Sequence, residues 1–263
     1  MIIRHVSVKN ILTKSKIPGF DFVINPYIGC PHNCIYCYAE YMRKFTGHNE
    51  PWGTFLDVKI AQTPIKPAVL FHADVLLCSA TDPYNPYEEK YQRTRQILQH
   101  LIYAQAKVSI LTKSALVTRD LDLLKQLYQC EVGFSFSSVD EDVRQMVEPG
   151  TSTITTRLEA LATIHQAGLS TAVMAAPLLP GISDWKAIIE ATSPYTSTYR
   201  FDSLNLRPGF QKKFISLIAL RYPQLLPLYS EIYLKGNNSY LKTLKREIQA
   251  YALAQNLQVE IFF

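Results

Sequence analysis

Residues Asn25–Phe45 read NPYIGCPHNCIYCYAEYMRKF, and the three cysteines among them, Cys30, Cys34 and Cys37, decide how the chain is understood. Their spacing, C-x3-C-x2-C, lets three thiolates close on one inorganic cluster. An electron-carrying 4Fe-4S cluster or a structural zinc site normally takes four protein ligands, so a compact triad points to an iron left open for a small molecule. The alternative is a zinc ion completed by His32 or His48. Zinc sites usually pair their ligands as two short knuckles, and only one is present here. His32, inside the triad, reads as a residue that supports the loop or faces solvent.

The rest of the composition fits an enzyme of one α/β domain. A chain of 263 residues can bury a large core, and α/β barrels reach this size without dividing. Hydrophobic residues make up 48%, which excludes a disordered chain. The N-terminal stretch MIIRHVSVKNILTKSK lacks the apolar core and small-residue cleavage site of a signal peptide, and nowhere is an apolar run long enough to span a bilayer. Five cysteines, an odd number with three of them clustered, fit a reducing compartment and argue against a disulfide framework. A cytoplasmic protein is expected, with no membrane partner. The net charge is +5, and Arg200–Phe263 alone carries nine Lys/Arg against four Asp/Glu. Such an excess permits a nucleic-acid partner without demanding one, because a solvated basic face has the same composition.

Short β-rich runs alternate with helical stripes along the chain. Strands are expected at Phe22–Asn25, Val75–Ser79, Lys107–Thr112, Glu131–Ser137, Thr171–Ala175 and Ser203–Arg207. Between them, Ile97, Leu98, Leu101 and Ile102 form one helical stripe; Ile154, Leu158, Leu161 and His165 form another, ended by Gly168. Six such units with parallel crossovers imply a partial (β/α)6 barrel of the TIM type. Residues 1–210 form this core with its N-terminal segment. Residues 211–263, in which Pro223 and Pro227 precede a helix bearing Leu241, Leu244, Ile248 and Tyr251, read as a helical extension packed on the barrel rather than an independent domain.

Parallel barrels place their chemistry where strands end. Here the expected strand ends carry the cysteine loop, then CSATDPYNPYE, LTKS, FSFSSVDED, AAPLLPGISD and NLRPGF. Each junction alone is explained by a capped βα turn, since Ser, Thr and Asp are favoured there for local reasons. Together they resemble the spore photoproduct lyase-like branch of the radical S-adenosylmethionine (SAM) superfamily, from about Asn10 to Gly209. The cysteine loop, with Tyr36 before its last cysteine, is the most specific part. TDPYNPYE, LTKS and EPGTSTITTRLEALATIHQAG are less so. The opening ILTKSK and FTGHNEPWG further resemble the radical SAM mobile pair protein B group.

The resemblance implies that Cys30, Cys34 and Cys37 hold a 4Fe-4S cluster whose open iron is chelated by SAM. Reductive cleavage of SAM then gives a 5′-deoxyadenosyl radical that abstracts hydrogen from an unidentified substrate, with the electron supplied by a donor such as flavodoxin or ferredoxin. It places Tyr36 against the adenine, Thr81 and Ser135 in polar contact with SAM, Lys113 near the SAM carboxylate, and the Ala176 backbone at the adenine edge. An ammonium at Lys113 makes physical sense, because it can neutralise and hydrogen-bond that carboxylate. A surface lysine at a strand end and a strand serine at position 135 are the plainer readings.

Tyr38 and Cys78 are the candidate catalytic residues. Spore photoproduct lyases carry a hydrogen-donating cysteine at the end of the second strand and a tyrosine directly after the third cluster cysteine, where Tyr38 stands. Alignment on Asp82 puts Ser79 in the donor position and Cys78 one residue earlier. Alternation along a strand then turns Cys78 toward the helical layer, and a DNA-lesion lyase becomes the second reading of the chain. Asp82 reads equally as a helix cap or a ligand contact. Arg207 faces the substrate or serves the turn that follows it. Trp52 reads as a cover for the core, Cys130 as a small buried residue, and His165 as a partner for a helix dipole.

Overall fold

The computed structural model describes Met1–Phe263. Eleven strands form two sheets. The larger runs β11(Gln258–Ile261), β10(Thr198–Ser203), β9(Ser170–Leu178), β8(Gln129–Phe136), β7(Lys107–Thr112), β6(Asp74–Leu77), β3(Phe22–Ile24) and β2(Leu12–Lys14). Every neighbouring pair is parallel except β2 with β3. Strands consecutive across the sheet are nearly consecutive in the chain, so the crossovers wind in one sense and roll the sheet into a partial barrel.

Six principal helices accompany it: α1(Arg93–Leu101), α2(Glu141–Val147), α3(Ile154–Gln166), α4(Trp185–Thr192), α5(Pro208–Arg221) and α6(Ser239–Ala254). The core forms where helix stripes meet the strands. Val75, Leu77, Val108, Ile110, Val132, Phe134 and Val173 from the sheet pack against Ile97, Leu98, Leu101, Leu161, Ile164 and Ile188. Helix caps fix where three of the crossovers turn: Asp140, Thr153 and Asp184 accept N–H groups in the first turns of α2, α3 and α4. At the end of α3, Gly168 takes φ +83°, the left-handed region that favours glycine.

Three features depart from the expected plan. The sixth barrel strand is Thr198–Ser203, not Ser203–Arg207, because Tyr199 and Phe201 supply the buried positions while Asn205 and Arg207 are exposed. The C-terminal extension is not only helical. Leu244 and Ile248 of α6 join the main core, and β11 adds a parallel strand beside β10, so the extension continues the barrel instead of merely covering it. The N-terminal segment also has structure of its own: β1(Ile2–Val8) pairs in parallel with β5(Phe55–Ala61), which pairs antiparallel with the short β4(Tyr27–Ile28). This small sheet leads directly into Cys30 and braces the loop that holds it.

Candidate active site

The cysteine loop leaves β4 and folds over the C-terminal ends of the barrel strands. Its seat is the turn after α2, residues 147–150, which grips it at three points. Ile35 donates its N–H to the Val147 carbonyl at 2.9 Å, Gly150 donates to the His32 carbonyl at 3.0 Å, and the Tyr36 hydroxyl donates to the Glu148 carboxylate. Gly150 is required by close approach. A Cβ there would collide with the Pro31 carbonyl oxygen and lie 2.9 Å from His32 Cα.

Glu148 is the hub of a buried polar network. Arg157 donates through Nη2 to its Oε2 at 2.8 Å, Ser137 donates to Oε1 at 3.0 Å, and the Lys113 ammonium lies 3.9 Å from Oε1. Burial alone would raise this carboxyl, but Arg157 and Lys113 outweigh it and hold the group below its ordinary range. Arg157 is itself fully buried and also donates to the Ser135 and Ser152 carbonyls. The Lys113 ammonium donates to Ser135 Oγ at 2.6 Å, and Ser135 in turn donates to the Ala176 carbonyl at 3.2 Å. Lys113, Ser135 and Ala176, on three successive strands, therefore meet in one place. Lys113 is not a surface lysine, since its side chain is only 17% exposed.

Asp82 ties the next strand ends together. It accepts from Thr112 Oγ1 and the Lys113 N–H, both at 2.7 Å, and from the Tyr84 N–H at 2.9 Å; His32 Nδ1 stands 3.4 Å away. Its oxygens are committed to the scaffold, but not as a helix cap, since the next helix, Glu88–Tyr91, is entered from Tyr87. His32 is buried rather than solvent-facing, and burial pushes its pKa down. Thr81 donates to the Tyr27 carbonyl at 3.4 Å, at the edge of hydrogen-bonding distance. Tyr36 is buried in one apolar cluster with Val147 and Leu179, with its hydroxyl on Glu148.

The expectation for Cys78 needs correction. Alternation ends at Leu77, because Cys78 takes φ +64° and leaves the extended backbone. The residues of this strand in the helical core are Val75 and Leu77, and Cys78 is not among them. Cys78 is buried, its N–H donates to the Ile24 carbonyl at 2.9 Å, and burial raises its thiol, with Asp82 and Cys30 acting in the same direction. Tyr38, half exposed, donates its hydroxyl to the Ser79 carbonyl at the same strand end. Ser79 is held by Asn25, whose Oδ1 accepts the Ser79 N–H at 2.9 Å.

Burial raises the thiols of Cys30 and Cys34, and each also feels the charge of Cys37. His48 is spent elsewhere, with Nδ1 2.9 Å from Glu50, Nε2 2.9 Å from Asp57, and its ring stacked on Phe55. Beside the loop opens a cleft of about 670 Å³, lined by Tyr38, Tyr41, Arg43, Lys44 and Arg207 among others. Arg207 thus lines the cleft from the N-cap position of α5, where its side chain makes no capping hydrogen bond. Sequence reasoning passed over Glu148 and Arg157; both lie in the EPGTSTITTRLEALATIHQAG segment, where a Glu in the turn before a helix and an Arg in its first turns look like surface charges.

This chain belongs to the radical SAM superfamily, whose profile matches residues 24–191. It is 33% identical over 225 residues to an uncharacterized protein of Methanocaldococcus jannaschii, covering 86% of this chain and 85% of that one. An uncharacterized protein of Mycobacterium tuberculosis is 31% identical over 269 residues, covering 92% and 78%. Among solved structures, a spore photoproduct lyase mutant with bound AdoMet and dinucleoside spore photoproduct aligns with TM-score 0.58 at 18% identity, over 84% of this chain and 66% of that one. Streptococcus suis SuiB bound to S-adenosylmethionine aligns with TM-score 0.56 at 11% identity, over 91% and 49%. The chain thus spans about two thirds of the lyase and half of SuiB. Its fold is the partial barrel of these enzymes, and the family implies an enzyme that uses SAM with an iron–sulfur cluster. No helix is long and apolar enough to cross a membrane.

The Glu148–Arg157 pair yields a stability prediction. Glu148→Gln leaves the Arg157 charge buried without its counterion and should lower the free energy of unfolding by about 3–5 kcal/mol at neutral pH. Because the folded carboxyl is depressed, its contribution is complete above the ordinary carboxylate pKa and is lost as pH falls through the folded value. Urea unfolding of both proteins should therefore show the gap narrowing in acid.

Proposed function

We propose that Cys30, Cys34 and Cys37 hold a 4Fe-4S cluster, that SAM binds against Lys113 and Ser135, and that hydrogen is abstracted from a substrate entering through the cleft beside Tyr38 and Arg207. The observation that carries this reading is the meeting of the cysteine loop with Lys113, Ser135 and the Ala176 carbonyl at the ends of adjacent strands. The cofactors, when bound, supply one-electron cleavage of SAM to a 5′-deoxyadenosyl radical, with the electron coming from a donor such as flavodoxin or ferredoxin. The protein's part is to hold and orient. Lys113 offers an ammonium to a carboxylate, Glu148 and Arg157 fix the wall behind it, and Tyr36 anchors the loop to that wall.

Anaerobic reconstitution should give about four irons per chain and an EPR signal of the reduced protein that changes when SAM is added. Alanine at Cys30, Cys34 or Cys37 should abolish the cluster, and a spectrum indifferent to SAM would refute the reading. Lys113→Ala should retain iron but bind SAM more weakly by about 1–3 kcal/mol, the scale of a charge-assisted hydrogen bond, as measured by isothermal titration. Unchanged affinity would remove Lys113 from the SAM site.

A second reading, a DNA-lesion lyase, draws on Cys78 being buried at the end of β6 and on Tyr38 reaching the same strand end. Against it, the position aligned with the hydrogen donor is Ser79, whose O–H bond is too strong for that task. Purified enzyme given dinucleoside spore photoproduct should leave it unconverted, and Cys78→Ala should cleave SAM as the parent does. Conversion to thymines that is lost in Cys78→Ala would establish the lyase reading instead.

A further inference from the structure

Trp52 is buried in the turn before β5, and its indole Nε1 has no hydrogen-bond partner in the protein. A buried donor left unpaired costs on the order of 1–3 kcal/mol, so such a group calls for an acceptor. Its surroundings are the cysteine loop. Trp52, Cys30, Ala39 and Phe55 form one small apolar cluster, with Cys37 packed against it, and the indole meets Phe55 edge-on at 5.6 Å. That contact and the neighbouring Gly53, at φ +93° and in close contact with Asn33 of the loop, fix the ring's position. The protein itself offers this N–H no acceptor, and the group that the neighbouring cysteines would bring beside it is a cluster rich in sulfur.

We propose that Trp52 is a positioning residue for the cluster, its unpaired indole N–H donating to a sulfur of the bound cluster and tuning the reduction potential. The inference rests on the reading of Cys37 as a cluster ligand. A hydrogen bond to a cluster sulfur draws electron density from it and favours the reduced, more negative cluster. The bond persists in both redox states and is stronger in the reduced one, which is why it shifts the potential. A tryptophan that only filled space would not do so.

The test uses the reconstituted protein and two variants. Trp52→Phe keeps an aromatic ring and removes the donor. Trp185→Phe, at the other tryptophan, in the main helical core, is the control. In an EPR-monitored redox titration without SAM, Trp52→Phe should shift the reduced-to-oxidised ratio at fixed potential about tenfold toward oxidised, about 59 mV more negative for a one-electron couple, with iron content retained. Trp185→Phe should not shift it. Should Trp52→Phe fail to hold iron, parent protein with ¹⁵N-labelled indole decides by pulsed EPR: the reduced cluster should show coupling to one indole nitrogen that disappears on dilution with unlabelled tryptophan. An unmoved potential in an iron-replete variant, or no indole coupling in the labelled parent, overturns the proposal. Absence of any cluster in the parent would instead refute the assignment of the three cysteines.

Discussion

The site depends on one docking event, the seating of the cysteine loop on the turn after α2. Two backbone hydrogen bonds and the Tyr36–Glu148 contact bring residues 32–36 against residues 147–150, more than a hundred positions away in the chain. Without Gly150 the surfaces could not meet at this distance, and without Arg157 the Glu148 charge could not stay buried at the contact. The barrel supplies the geometry that brings them together. The register pairs Thr112 with Phe134 and Ser135 with Met174, so Lys113 comes level with Ser135, and Ala176 follows two residues further along β9.

Charge balance is local and complete around this seat. Arg157 is matched to Glu148, and Asp82 is absorbed by strand-end donors. The ammonium of Lys113 is shared between Ser135 Oγ and a more distant Glu148 oxygen, which leaves it the most available charge facing the loop. An incoming carboxylate would meet a cation already desolvated and aimed, which lowers the reorganisation that binding demands.

Much of this was legible in the sequence. The strand Lys107–Thr112 and the stripe ended by Gly168 stand where apolar periodicity and turn chemistry put them, because local pattern and tertiary burial agree there. The sixth strand was misplaced, since the run SLNLR alternates as a strand should while burial went to Tyr199 and Phe201 upstream. The pairing of β1 with β5 and the closing strand β11 escaped notice because parallel partners leave no local signal. In the site, the cysteine spacing identified the loop, while Glu148 and Arg157 were invisible: their meaning is a long-range pairing that only the fold creates. Cys78 misled because alternation assumes an extended backbone, and a single left-handed residue cancels that assumption.

The grip of the turn on the loop also shapes how the loop moves. The Ile35 and Gly150 amides lie on opposite sides of one contact, so neither can be exposed to solvent while the other stays bonded. Their protons belong to a single opening unit, so both should exchange with solvent at one common rate, set by the lifting of the loop from the turn and not by fraying at either end of it.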